Sequence, residues 1–119
     1  MKHLDKNQFH DKLKELMDDF VFKVYISTKS YPKEEIYGLT SQLRRSSMSI
    51  ILNYIEGYAR KRNAVYKNFL EISYGSLKET KYLIYFCNKI KYLSDTDYKI
   101  QSKMCDEIGA MLWGILRNL

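Results

Sequence analysis

At 119 residues the chain is long enough to close one hydrophobic core and too short for two comfortable ones. A hydrophobic fraction of 45% fits a globular protein, and one proline with five glycines is too little punctuation for a many-turned β fold. The net charge of +6 is local: residues 57–91 hold Arg60, Lys61, Arg62, Lys67, Lys78, Lys81, Lys89 and Lys91 against Glu71 and Glu79, so the rest of the chain nets to zero.

Met1 to His10 carries Lys2, Asp5 and Lys6 with no apolar run behind them, which is not the pattern of a secretory signal. From about Asn7 to Ser27, apolar residues recur at Phe9, Leu13, Leu16, Met17, Phe20, Val21, Val24 and Tyr25, the three-and-four spacing of one helix face. Thr28 to Pro32 breaks that pattern, and Pro32 suits the first turn of a new helix because its missing N–H would be unpaired there. Glu34 and Glu35 place negative charge where a helix N-terminus favours it, and a short turn to Tyr37 leads through Gly38 into a second helix, Leu39 to about Glu56. Gly57 marks its end, Tyr58 to Arg62 form a basic loop, and Asn63 is the expected N-cap of a third helix from about Ala64 to Lys91. Phe69, Ile72, Leu77, Thr80, Leu83, Ile84, Cys87 and Ile90 are assigned to its inner side. Ser94-Asp95-Thr96-Asp97 resembles a capping box with aspartate in the third place, and the fourth helix carries Met104, Ile108, Met111, Leu112, Ile115 and Leu116 inward.

Four helices with short connections place neighbours antiparallel, so the expected fold is all-α, an antiparallel up-and-down four-helix bundle forming a single domain over residues 1–119. Its least charged stretch, Ser46 to Ile55, is far short of the roughly 18 to 20 apolar residues a membrane span requires, so a cytoplasmic protein with no membrane contact is expected. Cys87 and Cys105 fall inside helical patterns, outside any Cys-x-x-Cys pair, and are expected to be buried free thiols.

The second helix has apolar residues on more than one side. At roughly 100° per residue, Leu39, Leu43, Ile50 and Tyr54 share one face and Met48, Ile51, Leu52 and Ile55 the adjoining one. A bundle helix buries about one such stripe, so the second face points to self-association, or to a central position between two partner helices. The remaining side carries a continuous polar line, Gln42, Arg45, Ser49, Asn53 and Glu56. That line is either a structural network that fixes helix register or a ligand-binding or catalytic groove.

On the third helix, Lys67, Glu71, Tyr74, Lys78, Lys81, Tyr82, Tyr85 and Lys89 fall within one roughly 100°-wide sector. Lysines that meet phosphates beside tyrosines that stack on unpaired bases are the combination used to bind single-stranded RNA, and Arg60, Lys61 and Arg62 lie in the loop just before. A lysine-rich helix face is also an ordinary solvated surface, and tyrosines are common in subunit contacts. Because the positive charge is concentrated in one segment, an anionic partner fits it: RNA or another nucleic acid, through Arg60, Lys61, Arg62, Lys67, Tyr74, Lys78, Lys81, Tyr82 and Lys89; alternatively the same face docks on an acidic protein or on a nucleic-acid enzyme such as a reverse transcriptase.

No catalytic or metal-binding set is legible. A di-metal bundle site needs inward Glu-x-x-His pairs, yet the only histidines are His3 and His10. There is no Gly-x-x-x-x-Gly-Lys phosphate loop and no His-Glu-x-x-His, so no cofactor is expected and an enzyme would depend on carboxylates, arginines and tyrosines alone.

Several spaced blocks resemble a known family: Val24-Tyr25; Tyr31-Pro32-x-x-Glu35-x-Tyr37-Gly38-Leu39; Gln42-Leu43-Arg44-Arg45-Ser46; Ser49-Ile50; Asn53; Glu56-Gly57-x-x-Arg60; Phe69-Leu70-x-Ile72; and Gly75-Ser76-Leu77-x-Glu79. They are similar to the four-helix-bundle proteins named for reading frames in intervening sequences of bacterial 23S ribosomal RNA genes. Two departures stand out. Asn53-Tyr54-Ile55-Glu56-Gly57 replaces the usual Asn-Ile-Ala-Glu-Gly, and Ser73 replaces an alanine, a change expected to be mild. The resemblance implies a ring-like homopentamer with a basic surface and no enzymatic activity. A related branch looks like the accessory proteins of diversity-generating retroelements, which bind a reverse transcriptase and its template RNA.

Overall fold

The computed structural model describes residues 4–119. His3, half of the histidine inventory above, lies outside the described residues, as do Met1 and Lys2. Four helices follow in order: α1 (Lys6–Thr28), α2 (Leu39–Tyr58), α3 (Asn63–Lys89) and α4 (Asp95–Leu116), with one 3-10 turn (Lys33–Glu35) between α1 and α2.

Each boundary has a local cause. Asp5 caps α1: its carboxylate accepts from the Gln8 N–H at 2.8 Å, while the Gln8 side chain accepts from the Asp5 N–H at 3.0 Å, a complete capping box. Pro32 opens the 3-10 turn, as its fixed φ favours, but three residues of 3-10 structure take the place of a full helical start. Helix α2 ends at Tyr58, one residue past Gly57. Asn63 is the first residue of α3, and Arg62 takes the N-cap position without a side-chain cap. The α3–α4 connection reverses at Lys91, whose φ of 68° is left-handed; the N–H groups of Tyr92 and Leu93 then reach back to the Cys87 carbonyl at 2.8 and 3.1 Å. Ser94 caps α4 through the Asp97 N–H at 3.1 Å.

Contacts between helices fix the directions. Arg44 of α2 donates to Thr28 of α1 at 2.8 Å, and at the other end Tyr54 bonds His10. Between α2 and α3, the Ser73 hydroxyl donates to the Ile50 carbonyl at 2.7 Å and Thr80 donates to Ser46 at 2.8 Å. Lys81 of α3 meets Asp106 of α4, Tyr74 meets Trp113, and Gln101 of α4 donates to Ser27 of α1. At the other end of α1, Phe9 shares a cavity with Ile115 of α4, so for each pair the residue number rises on one helix as it falls on the other, all neighbours are antiparallel, and the bundle closes as α1–α2–α3–α4–α1.

The four helices share one core. Leu13, Met17, Phe20 and Val24 from α1, Leu43, Ile50 and Tyr54 from α2, Leu70, Leu77 and Ile84 from α3, and Ile108 and Leu112 from α4 are essentially inaccessible. Ile72, assigned above to the inner side, is 44% exposed, and Leu70 and Ser73 are buried in its place. Two helical positions turn the side chain by roughly 200°, so a helix that aims Leu70 at the axis cannot also aim Ile72 there. Cys87 and Cys105 are buried free thiols, and burial pushes the Cys105 thiol up to about 12. No helix among the described residues is long and apolar enough to cross a membrane.

Candidate nucleic-acid interface

The basic loop lies between α2 and α3, and the basic stripe runs along α3. Arg60 is paired with Glu56 one turn back on α2, and its guanidinium lies 5.4 Å from the Phe69 ring centroid, which holds it at the α2–α3 seam. Lys61 and Arg62 are exposed just before α3. The first turn of α3 contains no acidic residue and no side-chain cap, so the partial positive charge of its free N–H groups adds to that of these two side chains.

Lys67, Tyr74, Lys78 and Lys81 face α4 across a groove. Tyr74 is half-buried against the core, and the Lys78 ammonium sits 5.1 Å from its ring centroid. Lys81 donates to Asp106 at 2.6 Å; that bond raises the lysine's pKa, and because both side chains are exposed the pair contributes only about 0–1 kcal/mol. Further along α3, Tyr82 is 61% exposed and lies 6.1 Å from the Tyr85 ring and 6.4 Å from Phe86, with Lys89 in the last turn. From Lys67 to Lys89 the stripe extends about 33 Å, a length suited to an extended chain rather than a small molecule.

Helix α4 contributes residues that chain-wise charge counting missed. Lys99, Lys103, Asp106, Ala110, Trp113 and Arg117, spaced by four, three, four, three and four, are all exposed and form one line on α4. Their charge is hidden in the sequence total because Asp95, Asp97, Asp106 and Glu107 outnumber Lys99, Lys103 and Arg117 along the same segment; Asp97 faces the α1–α4 groove beside Phe22 and Ile100. The signal available in the sequence was the four-three spacing itself. Trp113, the chain's one tryptophan, is 55% exposed, with its ring 6.3 Å from Tyr74. Two cavities flank this aromatic pair. One, of ≈ 220 Å³, is bordered by Lys78, Lys81, Asp106 and Ala110, and the other, of ≈ 350 Å³, by Lys67, Glu71 and Arg117.

The polar line of α2 divides into three parts. Asn53 donates to both the carbonyl and the hydroxyl of Ser49 at 2.9 Å, and Ser49 bonds Ser76 of α3 at 2.8 Å, which ties the outer α2–α3 seam. Glu56 pairs with Arg60, one turn further along the chain. Gln42 and Arg45 are exposed. On the second apolar face Ile51 is buried and Met48 half-buried, whereas Leu52 and Ile55 are 56% and 46% exposed. Among the described residues no three His, Cys, Asp or Glu side chains come together to hold a metal ion.

No curated protein matches the chain. A protein of unknown function from the S23 ribosomal protein family of Bacteroides thetaiotaomicron has a similar crystal structure, with a TM-score of 0.83 over 92% of this chain and 98% of that one at 20% sequence identity, which is a likeness of fold. The family model described as 23S rRNA-intervening sequence protein matches residues 11–114, from the first turns of α1 to the last turn of α4. The match covers all four helices and both seams of α3, and the chain belongs to the 23S rRNA-intervening sequence protein family.

Proposed function

We propose that this protein is a non-enzymatic, self-associating helical scaffold that binds RNA through the groove between α3 and α4. The observation that carries this reading is the convergence of two cationic lines. Lys67, Lys78 and Lys81 on α3 border the groove together with Arg117 just past the end of α4, Lys89, Lys99 and Lys103 extend the two exposed helix lines, and Glu71, Asp106 and aromatic rings lie along the groove. Cations arranged in register along some tens of ångströms suit a phosphate backbone, and the counterions released on binding supply the free energy. Self-association is supported by the exposed Leu52 and Ile55, and the family resemblance makes a ring-like homopentamer the assembly expected.

The test is binding of the purified protein to a structured RNA and to duplex DNA, each across a salt series. Tight RNA binding that weakens steeply with salt is expected, and Lys67→Gln, Lys78→Gln and Arg117→Gln should each reduce the slope of log affinity against log salt by about one. Absence of RNA binding at low salt would overturn this reading and assign the face to an acidic protein partner. A reverse transcriptase, the partner that the resemblance suggests for a related branch, is the one to try first in that event.

A further inference from the structure

The α3–α4 groove has more in it than phosphate binding requires. Trp113 and Tyr74 stand side by side across it, 6.3 Å between centroids and inclined by 40°, and the same two rings border both flanking cavities. They therefore act as a wall with a recess on each side. The floor of the first recess is kept low by Gly109 and Ala110 of α4, and a Cβ at Gly109 would come within 3.2 Å of the Leu77 side chain. Neither recess is enclosed.

Each recess also contains a carboxylate among its cations: Asp106 beside Lys78 and Lys81 in the first, Glu71 beside Lys67 and Arg117 in the second. Carboxylates repel phosphates, so a surface that bound only a nucleic-acid backbone would gain nothing from them. They do accept hydrogen bonds from the exocyclic amino group of a base, as Asp and Glu accept from cytosine. Aromatic faces, in turn, stack on bases only when those bases are unpaired.

We propose that the recesses on either side of the Tyr74–Trp113 wall seat two neighbouring unpaired bases of a single-stranded RNA, with Asp106 and Glu71 receiving amino groups at the base edges. This rests on the RNA-binding reading above and adds to it the class of RNA: single-stranded, with amino-bearing bases such as cytosine. The Lys78 ammonium, now over the Tyr74 ring, is positioned to follow the phosphate that accompanies the first base. Strand selection resides in the rings and charge neutralisation in the lysines, so the two can be separated by mutation.

Because Trp113 is the chain's one tryptophan, its fluorescence reports on the wall directly. Short oligocytidylate and an RNA duplex of equal length are each titrated into the full-length protein at low salt. Oligocytidylate should quench Trp113 saturably, and Trp113→Ala should weaken its binding about 10- to 100-fold, the value of roughly one base–aromatic stack, while duplex affinity and the salt slope stay unchanged. Trp113→Phe should retain most of the lost affinity. Since the indole is more than half exposed, the alanine variant should keep its helical circular dichroism. Oligocytidylate that binds without changing Trp113 emission, or a Trp113→Ala variant that loses single strand and duplex equally, would overturn the base seats and leave phosphate binding standing. Failure of every nucleic acid to bind would remove both readings together.

Discussion

Gly57 of α2 and Phe69 of α3 face each other so closely that a methyl group on Gly57 would lie 2.7 Å from the Phe69 Cβ. Glycine here sets the spacing of the two helices. Gly57→Ala should destabilise the protein by about 1–3 kcal/mol, because the obstacle is a Cβ fixed to backbone and α2 or α3 must shift. Gly75, in the middle of α3, has nothing within 4 Å of its added Cβ, and Gly75→Ala should stabilise by about 0.5–1 kcal/mol through helix propensity. Paired denaturant melts check this; equal effects of the two substitutions would refute the close-approach account.

Leu52 and Ile55 project from α2 with about half their surface exposed, beside a shallow cavity bordered by Tyr25, Arg44, Met48 and Asn53. If this stripe is the contact between copies, Leu52→Glu with Ile55→Glu should reduce the assembly to smaller species in light scattering while far-ultraviolet circular dichroism is preserved. An unchanged mass would place the contact on another face.

Both thiols should be inert in the folded state. Cys87 is inaccessible, Cys105 is 2% exposed, and burial raises both thiol pKa values, so little thiolate forms at neutral pH. Reaction with an aromatic disulfide reagent at neutral pH should be slower by orders of magnitude than in denaturant, with two thiols released on unfolding. Rapid labelling of the native protein would contradict the burial of these side chains.

His10 is buried at the end of the bundle, bonded to the Tyr54 hydroxyl and packed 4.1 Å from the Tyr58 ring centroid. Burial, then the nearby Lys6 charge, lowers its pKa below the usual 6.5, while Asp11 opposes them. The unfolded chain therefore takes up this proton first as the pH falls. The stability from a neutral His10 is complete above about 6.5 and is lost progressively as pH drops below it, until the folded value is passed. The melting temperature should fall over that interval, and His10→Phe should flatten the fall; an equal slope in the variant would assign the effect to other groups.

The departure at Ser73, from alanine in the family, illustrates how much a local substitution can be judged in advance. Ser73 is fully buried, but its hydroxyl donates to the Ile50 carbonyl at 2.7 Å, so the extra polar atom is satisfied. The sequence shows that a hydroxyl is present; only the position of α2 shows where its proton goes.

What the sequence determined by itself was whatever depends on neighbours within a few turns. The spacing of Leu13, Met17, Phe20 and Val24 specifies a helix with one buried face, Pro32 breaks the chain where its φ and missing N–H require, and Ser94 starts α4. Four such segments with short links leave the up-and-down bundle as the natural packing, because each apolar face must find another. The tertiary structure decided everything that depends on which faces meet. It exposed Ile72 while burying Leu70, drew Arg60 to the α2–α3 seam, and brought Trp113 and Arg117 against Tyr74 and Lys67. Residues so far apart in the chain have no local signal of their proximity; the register of α3 against α4, set by side chains such as Leu77 over Gly109, puts them in one groove.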